Sequence, residues 1–179
     1  MTAVPAPRTW VTGEVVTAAE MNTNISDVLT FALAPPILQA RQIVSQSIAN
    51  STSPGTAVTY TAEDVDSSGM HSNVTNTSRA TAVYPGYYRF SGGIPYVANA
   101  TGQRGGYATV NGSALNGSNT LLNTTAANAI YVPLRTILAY LSVGDYFEWL
   151  ATQNSGGALN TGSGGVSFDA TLTCVWVSN

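Results

Sequence analysis

The alternation of apolar and polar residues changes character at Pro35-Pro36. Before the two prolines, apolar residues recur at intervals of three and four, as they do on one face of a helix. This stripe consists of Met21, Ile25, Val28, Leu29 and Ala32. After them, short alternating segments are bounded by Gly, Asn, Ser and Pro, which is typical of an antiparallel β-sandwich. The pattern predicts an N-terminal arm (residues 1–36) and a β domain (residues 37–179).

The arm has a clear helix start. Thr17 and Glu20 have the spacing of a capping box, in which each side chain satisfies a free backbone N–H of the first helical turn. This spacing predicts a helix over about residues 18–33, ended by the prolines. Its apolar stripe needs a partner, because leaving each large apolar side chain in water forgoes about 1.5–3 kcal/mol. The partner is either the chain's own β domain or a neighbouring subunit, and we favour the second.

The β domain contains nine predicted strands. They lie near residues 42–49, 56–62, 79–84, 87–97, 104–110, 113–122, 130–141, 145–153 and 167–177. Asn111-Gly112 is a strong hairpin signal, and the stretch from Gly156 to Gly165 is interpreted as a loop. Strict alternation in the last strand makes Cys174 a small buried apolar residue. The predicted core residues are Phe90, Phe147, Trp149, Phe168, Leu172 and Trp176.

Composition narrows the classes of partner. Only 8% of residues are charged and none is lysine, so Ser, Thr and Asn must solvate the surface. The arginines are scattered and the net charge is −3, so we expect no nucleic acid partner. No segment approaches the roughly 20 apolar residues of a membrane span, and the N-terminus does not resemble a signal peptide. We therefore expect no membrane partner and synthesis in a cytoplasm.

Residues suited to catalysis are scarce. The only histidine, His71, and the only cysteine lie far apart, and no nucleophile elbow is present. Asp64 and Asp66 have the spacing to share a hard cation, although acids in a polar loop are usually just solvated. Asp145 and Glu148 are the only close carboxylate pair in the C-terminal half, and a strand places them on opposite faces. We expect neither enzymatic activity nor a metal or other cofactor.

Several blocks of the β domain together resemble a known family. These blocks include Asp66-Ser67-Ser68-Gly69-Met70-His71, Pro85-Gly86-Tyr87-Tyr88-Arg89-Phe90, Val110-Asn111-Gly112 and Gly144-Asp145-Tyr146-Phe147-Glu148. They look like the phage version of the tumour-necrosis-factor and complement-head jelly roll, over roughly residues 40–177. The resemblance implies an all-β antiparallel jelly-roll sandwich that forms a homotrimer. Nine tyrosines and three tryptophans give partial physical support, since interfaces favour both residue types.

The arm resembles a second group of proteins. The segment from Trp10 to Asp27 is similar to the N-terminal segment of many small virion proteins of phages that infect actinobacteria. Together the two resemblances imply a non-enzymatic structural protein of a virion. Its partners would be further copies of itself and the major capsid protein or other virion proteins. The residues expected to anchor the chain to the particle are Trp10, Met21, Ile25, Val28 and Leu29.

Two roles within a particle fit the sequence, and we favour the first. The first is a trimeric decoration protein on the outer surface of the head, held by its arm. The second is a minor tail or tail-tip protein whose jelly roll binds a host surface glycan. A glycosidase is the third and least favoured hypothesis.

Overall fold

The computed structural model describes residues 4–124, 128–162 and 168–179. The arm forms one continuous helical segment from Ala18 to Leu33: α1 (Ala18–Met21), a π-helical turn (Asn22–Ser26) and α2 (Asp27–Leu33). Both hydrogen bonds of the capping box between Thr17 and Glu20 are present, as expected. None of these helices is long and apolar enough to cross a membrane, within the part of the chain that the structure describes.

Thirteen strands follow in the described residues. They are β1 (Ile37–Gln42), β2 (Ser47–Ile48), β3 (Thr56–Ala57), β4 (Ala62–Asp66), β5 (Ala80–Thr81), β6 (Gly86–Tyr96), β7 (Gln103–Val110), β8 (Ser113–Ala114), β9 (Thr120–Asn123), β10 (Ile130–Leu141), β11 (Tyr146–Gln153), β12 (Leu159–Asn160) and β13 (Ala170–Ser178). All the strand pairs are antiparallel. The fold is the expected all-β jelly-roll sandwich.

Two main sheets face each other. The first has the order β10-β6-β13-β1-β4, and the second is built around β3-β11-β7-β8, with β5 and β9 pairing at its margins. A two-stranded ribbon of β12 and β2 lies beside them. The predicted hairpin is present: Asn111 and Gly112 both have positive φ and join β7 to β8. Glycine and asparagine tolerate this conformation better than other residues.

An aromatic cluster occupies the space between the sheets. Phe90 of β6 stacks on Phe147 of β11 with ring centroids 3.8 Å apart, and Trp149 meets Phe147 edge-on at 5.0 Å. These three side chains and Leu172 are fully buried. Trp176 is half-buried and packs against the core from its margin. Phe168, in contrast, lies outside the core, because it precedes β13 and its ring packs against Tyr131 near the surface.

Several predicted strand positions need correction. The predicted strand at 42–49 is replaced by β1 and the two-residue β2, and the predicted strand at 113–122 is divided into β8 and β9. The predicted strand at 56–62 is present only as the two-residue β3 and the first residue of β4, and the rest of β4 falls where no strand was predicted. The strand β12 lies inside the predicted loop after Gly156. The remainder of that loop, residues 163–167, lies outside the described residues.

Candidate functional site

The segment before the helix folds back onto the helix start. The Arg8 guanidinium donates to Glu20 Oε1 at 2.8 Å, pairs with Glu14 and lies over the Trp10 ring at 4.5 Å. The Thr17 backbone N–H, the Thr17 hydroxyl and Arg8 together hold the pKa of Glu20 below its ordinary value. These contacts give the N-terminal part of the arm a defined shape, with Trp10 next to the first helical turn.

One aromatic residue attaches the helix to the jelly roll. Phe31 of α2 meets the rings of Tyr84 and Trp176 edge-on, at centroid distances of 4.9 Å and 4.8 Å. Trp176 is held in place because its Nε1–H donates to the carbonyl oxygen of Pro85 at 3.1 Å. Phe31 was not among the predicted site residues. The signal available in the sequence was an aromatic residue in the last helical turn, one position before the predicted stripe residue Ala32.

Three of the five predicted anchoring residues form an exposed row on the helix. Met21, Ile25 and Leu29 follow one another at intervals of four residues and are 46%, 36% and 55% exposed. Trp10 is also exposed, whereas Val28 is half-buried. The helix therefore has two apolar sides, of which one contacts the chain's own jelly roll through Phe31 and the other faces outward. We call the outward set of Met21, Ile25 and Leu29 the arm stripe.

A second exposed apolar surface lies on the outer face of the five-stranded sheet. Tyr87 of β6 and Tyr140 of β10 pair in register and meet edge-on at 5.3 Å, although both are more than 40% exposed. Leu138 on β10 is 61% exposed, and Val177 at the end of β13 is 49% exposed. We call these four residues the sheet patch. It lies at the end of the sheet where the arm joins β1.

The residues considered for catalysis have structural partners. The fully buried His71 side chain contacts Glu63 Oε1 through Nδ1 at 2.7 Å and the Thr77 carbonyl oxygen through Nε2 at 3.0 Å. Asp145 accepts hydrogen bonds from Asn111 Nδ2 and from the Ser142 backbone N–H, both at 2.8 Å. Each group therefore stabilises a turn or loop of the fold.

Glu148 corrects the sequence interpretation, which placed it on the solvent side of its strand. It is only 8% exposed, because the segment before β5 covers that face of β11. Its Oε1 accepts hydrogen bonds from the Ser78 hydroxyl at 2.6 Å and from Arg79 Nε at 3.3 Å. The carboxylate therefore lies in a polar contact between strands, whereas a glycosidase needs its two carboxylates to face a cleft that admits the sugar.

The two aspartates considered for a cation also have other partners. Both carboxylate oxygens of Asp64 accept from Arg41, at 2.7 Å and 2.8 Å. Asp66 accepts the backbone N–H groups of Met70 at 3.0 Å and His71 at 2.9 Å. Among residues 4–124, 128–162 and 168–179, no three His, Cys, Asp or Glu side chains are grouped to hold a metal ion.

Cys174 lies in the core, 2% exposed, and burial raises the pKa of its thiol well above the ordinary value. Because the thiolate is the reactive form, this cysteine is inert in the folded chain. Arg104 is buried as well, and its guanidinium donates to the carbonyl oxygens of Asn99, Thr101 and Gln103. It holds the loop before β7 and adds no charge to the surface.

The strand order and sheet pairing define a jelly roll of the tumour-necrosis-factor and complement-head type. The chain is similar to the globular domain of zebrafish complement 1qA protein, with a TM-score of 0.56 and 13% identity over 80% of this chain and 99% of that one. It is similar to murine APRIL at pH 5.0, with a TM-score of 0.59 and 11% identity over 79% and 98% of the two chains. No protein-family model and no curated sequence matches the chain significantly.

Proposed function

We propose that this chain is a non-enzymatic structural protein of a bacteriophage particle. In this proposal it forms a homotrimer that decorates the head surface and is held there by its N-terminal arm. The observation that carries the proposal is the arm stripe: three large apolar side chains at intervals of four residues on one helix, each of which is 36–55% exposed. Covering each of them would contribute about 1.5–3 kcal/mol.

One side of the helix packs on the jelly roll and the other is exposed, and this arrangement supports an anchoring role. Phe31 fixes the direction of the helix relative to the jelly roll, so the arm stripe is presented in a defined orientation. A helix of this length is marginal in isolation, and the fixed shape reduces the ordering cost of binding another protein. The similarity of the arm to those of small virion proteins suggests the major capsid protein or another virion protein as the partner.

The sheet patch supports self-association. Exposed tyrosine and leucine side chains on a sheet face are the kind of surface that protein interfaces cover. A homotrimer is also what the resemblance to the tumour-necrosis-factor and complement-head family implies. In this arrangement the sheet patch forms the subunit contacts near the arm, and three arms leave the trimer on the same side.

The test uses particles that lack the chain and purified protein added back. Ile25→Asp with Leu29→Asp places two charges in the arm stripe, and we expect binding to particles to be lost, because an unpaired buried charge is costly. The control Thr23→Asp with Ser26→Asp adds the same charge at exposed polar positions of the same helix. Equal occupancy for both double variants would show that the arm stripe is not the anchor.

Point variants are more informative than removal of residues 1–36. That deletion also removes Phe31, which covers Trp176, and so it changes the surface of the jelly roll. Antibody labelling of intact particles then identifies the location of the protein. We expect labelling distributed over the head.

A second candidate function is a minor tail or tail-tip protein that binds a host surface glycan. The observation that favours it is that loops rich in Ser, Thr, Asn and Gly lie at the end of the jelly roll opposite the arm, as in residues 50–55, 97–102 and 154–157. A chain attached by its arm would present these loops outward. Antibody labelling confined to one end of the particle would support this candidate against decoration of the head.

A further inference from the structure

An open pocket of about 610 Å³ lies on the outer face of the five-stranded sheet, at the end away from the arm. Arg41 near the end of β1 and Thr171 near the start of β13 contribute to its floor, and Tyr131 at the start of β10 contributes to its wall. Neither the catalytic candidates nor the predicted anchoring residues line this pocket.

Two aromatic rings form the apolar part of the pocket. The rings of Tyr131 and Phe168 lie 6.2 Å apart between centroids and are inclined at 55°. Tyr131 lies directly against Gly93, and Phe168 lies against Gly162, so that a Cβ on either glycine would overlap the ring. The Tyr131 hydroxyl also lies 3.2 Å from Thr171 Oγ1. The two rings are therefore positioned by the backbone beneath them.

Three charged side chains form the polar part. The Arg41 guanidinium is held on both oxygens of Asp64, and its Nη1 donates to Asp169 Oδ2 at 3.3 Å. Both carboxylates are fixed by the same cation, and among the described residues the second oxygen of Asp169 and the remaining guanidinium protons have no other hydrogen-bond partner. One positive and two negative charges give the cluster a net charge of −1.

We propose that this pocket binds a neutral pyranose sugar. A pyranose has an apolar C–H face, which fits against an aromatic ring, and a rim of hydroxyl groups, which pairs with carboxylate, guanidinium and hydroxyl side chains. The composition disfavours other ligands. The net negative charge opposes an anion, the Asp64 oxygens are already used by Arg41, and the ion pairs oppose a purely apolar ligand.

The pocket and the sheet patch are separate places on one sheet. Val177 and Thr171 are six positions apart on β13, and at about 3.3 Å per residue this separation is roughly 20 Å. The two surfaces therefore share no residue. The inference rests on the second candidate function for its biological meaning, since it names the site at which the jelly roll would bind a glycan, but the binding itself is independent of where the chain lies on a particle.

The test is a saturation-transfer NMR titration of the full chain with the methyl glycosides of glucose, galactose and N-acetylglucosamine, with glucuronic acid as the anionic comparison. We expect at least one neutral glycoside to bind with a millimolar dissociation constant and glucuronic acid to bind more weakly. Phe168→Ala and Asp169→Asn should each raise that constant by about tenfold, which corresponds to the loss of one ring or charged contact. Gly93→Ala, which displaces the Tyr131 ring, should have a similar effect.

Two matched variants serve as controls. Val74→Ala and Leu121→Ala each shorten an exposed apolar side chain that does not line the pocket; neither should change the dissociation constant. The inference is overturned if no neutral glycoside binds at tens of millimolar, if binding survives Phe168→Ala, or if glucuronic acid binds most tightly. None of these results bears on arm attachment, which is measured with the particle assay.

Discussion

At the scale of single residues, the half-buried Trp176 connects the two parts of the chain. It receives Phe31 from the arm on one side, and its indole N–H donates to the Pro85 carbonyl. Strand alternation placed Trp176 in the core with Phe90 and Leu172, since it shows only which face of the strand a side chain is on. It does not show that the end of the strand extends beyond the opposite sheet, where a side chain on the inner face is only half-buried. Its position at the margin is what makes it available to the arm.

Two substitutions of Trp176 separate its packing from its hydrogen bond. Trp176→Phe removes the bond to Pro85 and should lower the free energy of unfolding by about 1 kcal/mol. Trp176→Ala also removes the packing against Phe31 and the core margin, and should cost about 2–3 kcal/mol, below the range for fully buried aromatic residues. Chemical denaturation of both variants measures these values. Equal losses would mean that the ring packing contributes nothing.

Buried tyrosines predict how stability depends on alkaline pH. Burial raises the pKa of Tyr88 from an ordinary 10.0 to about 12, even though its hydroxyl donates to the Tyr84 carbonyl oxygen. Burial also raises the pKa of Tyr60 and Tyr96. Above pH 10 the unfolded chain releases these protons and the folded chain keeps them, so the stabilisation present below pH 10 is lost as the pH rises toward 12.

Tyr88→Phe provides the measurement. The variant should be less stable than the wild type at pH 8 by about 1 kcal/mol, the value of its lost hydrogen bond. Between pH 10 and 12 that difference should shrink by up to about 1.4 kcal/mol per pH unit, because only the wild type carries the titrating group. Urea denaturation of both proteins at several pH values measures this difference in the free energy of unfolding. A constant difference would contradict the raised pKa.

At the scale of elements, regular alternation found the half-buried strands and missed those that depart from it. β6, β10 and β11 were predicted closely because one face is apolar. β1 was displaced because the buried Gln42 breaks its apolar pattern; its amide donates to Gln46 Oε1 and the Thr59 carbonyl oxygen instead. β4 was missed because it is a charged edge strand, and charges at an edge protect it from pairing with other chains.

The helix was predicted at the correct residues, but its two sides were not told apart. Helical spacing identifies which residues share a face, and it does not say which face meets the jelly roll. Tyr84, which receives Phe31, lies in a turn far along the chain, so no local pattern connects them. The pocket of Tyr131 and Phe168 was missed for the same reason: its residues come from β1, β4, β10 and β13 and from the positions just before β13.

Hydrogen exchange distinguishes the two sides of the helix. In the isolated protein, Phe31→Ala should speed amide exchange in Asp27–Leu33, because it removes two edge-to-face contacts worth about 0.5–1.5 kcal/mol each. Ile25→Ala should leave the exchange of this element unchanged, since its side chain faces outward. Protection that depends on Ile25 and not on Phe31 would reverse the assignment of the two sides.

At the scale of the whole molecule, the exposed surfaces are arranged by position along the jelly roll. The arm stripe and the sheet patch lie at one end, and the pocket and the polar loops lie at the other. An all-β sandwich or barrel was predictable because many half-buried strands each carry the signal, whereas the jelly roll in particular was implied by the family resemblance. The grouping of these surfaces at the two ends follows from antiparallel pairing, which returns distant segments to the same end.

Oligomeric state tests the sheet patch directly. Light scattering should give three times the chain mass of 18.6 kDa for the wild type and 18.6 kDa for Leu138→Arg, because Leu138 pairs with Arg89 on β6 and a second positive charge beside it would be buried without a partner. Leu121→Arg is the matched control, since Leu121 is 50% exposed on β9 of the other sheet and the variant should remain a trimer. If Leu138→Arg remains a trimer, the subunits meet through another surface.

The shared location of the arm, the start of β1 and the end of β13 has a practical consequence for labelling. A fluorescent protein fused after Asn179 would sit beside the arm and compete sterically with whatever the arm contacts. A short peptide inserted between Gly156 and Gly157, which open space surrounds, would project from the opposite end. On a particle that carries many copies, the inserted peptides would form a dense outward array. The jelly roll would then act as a display scaffold that directs the peptide away from the end that carries the arm.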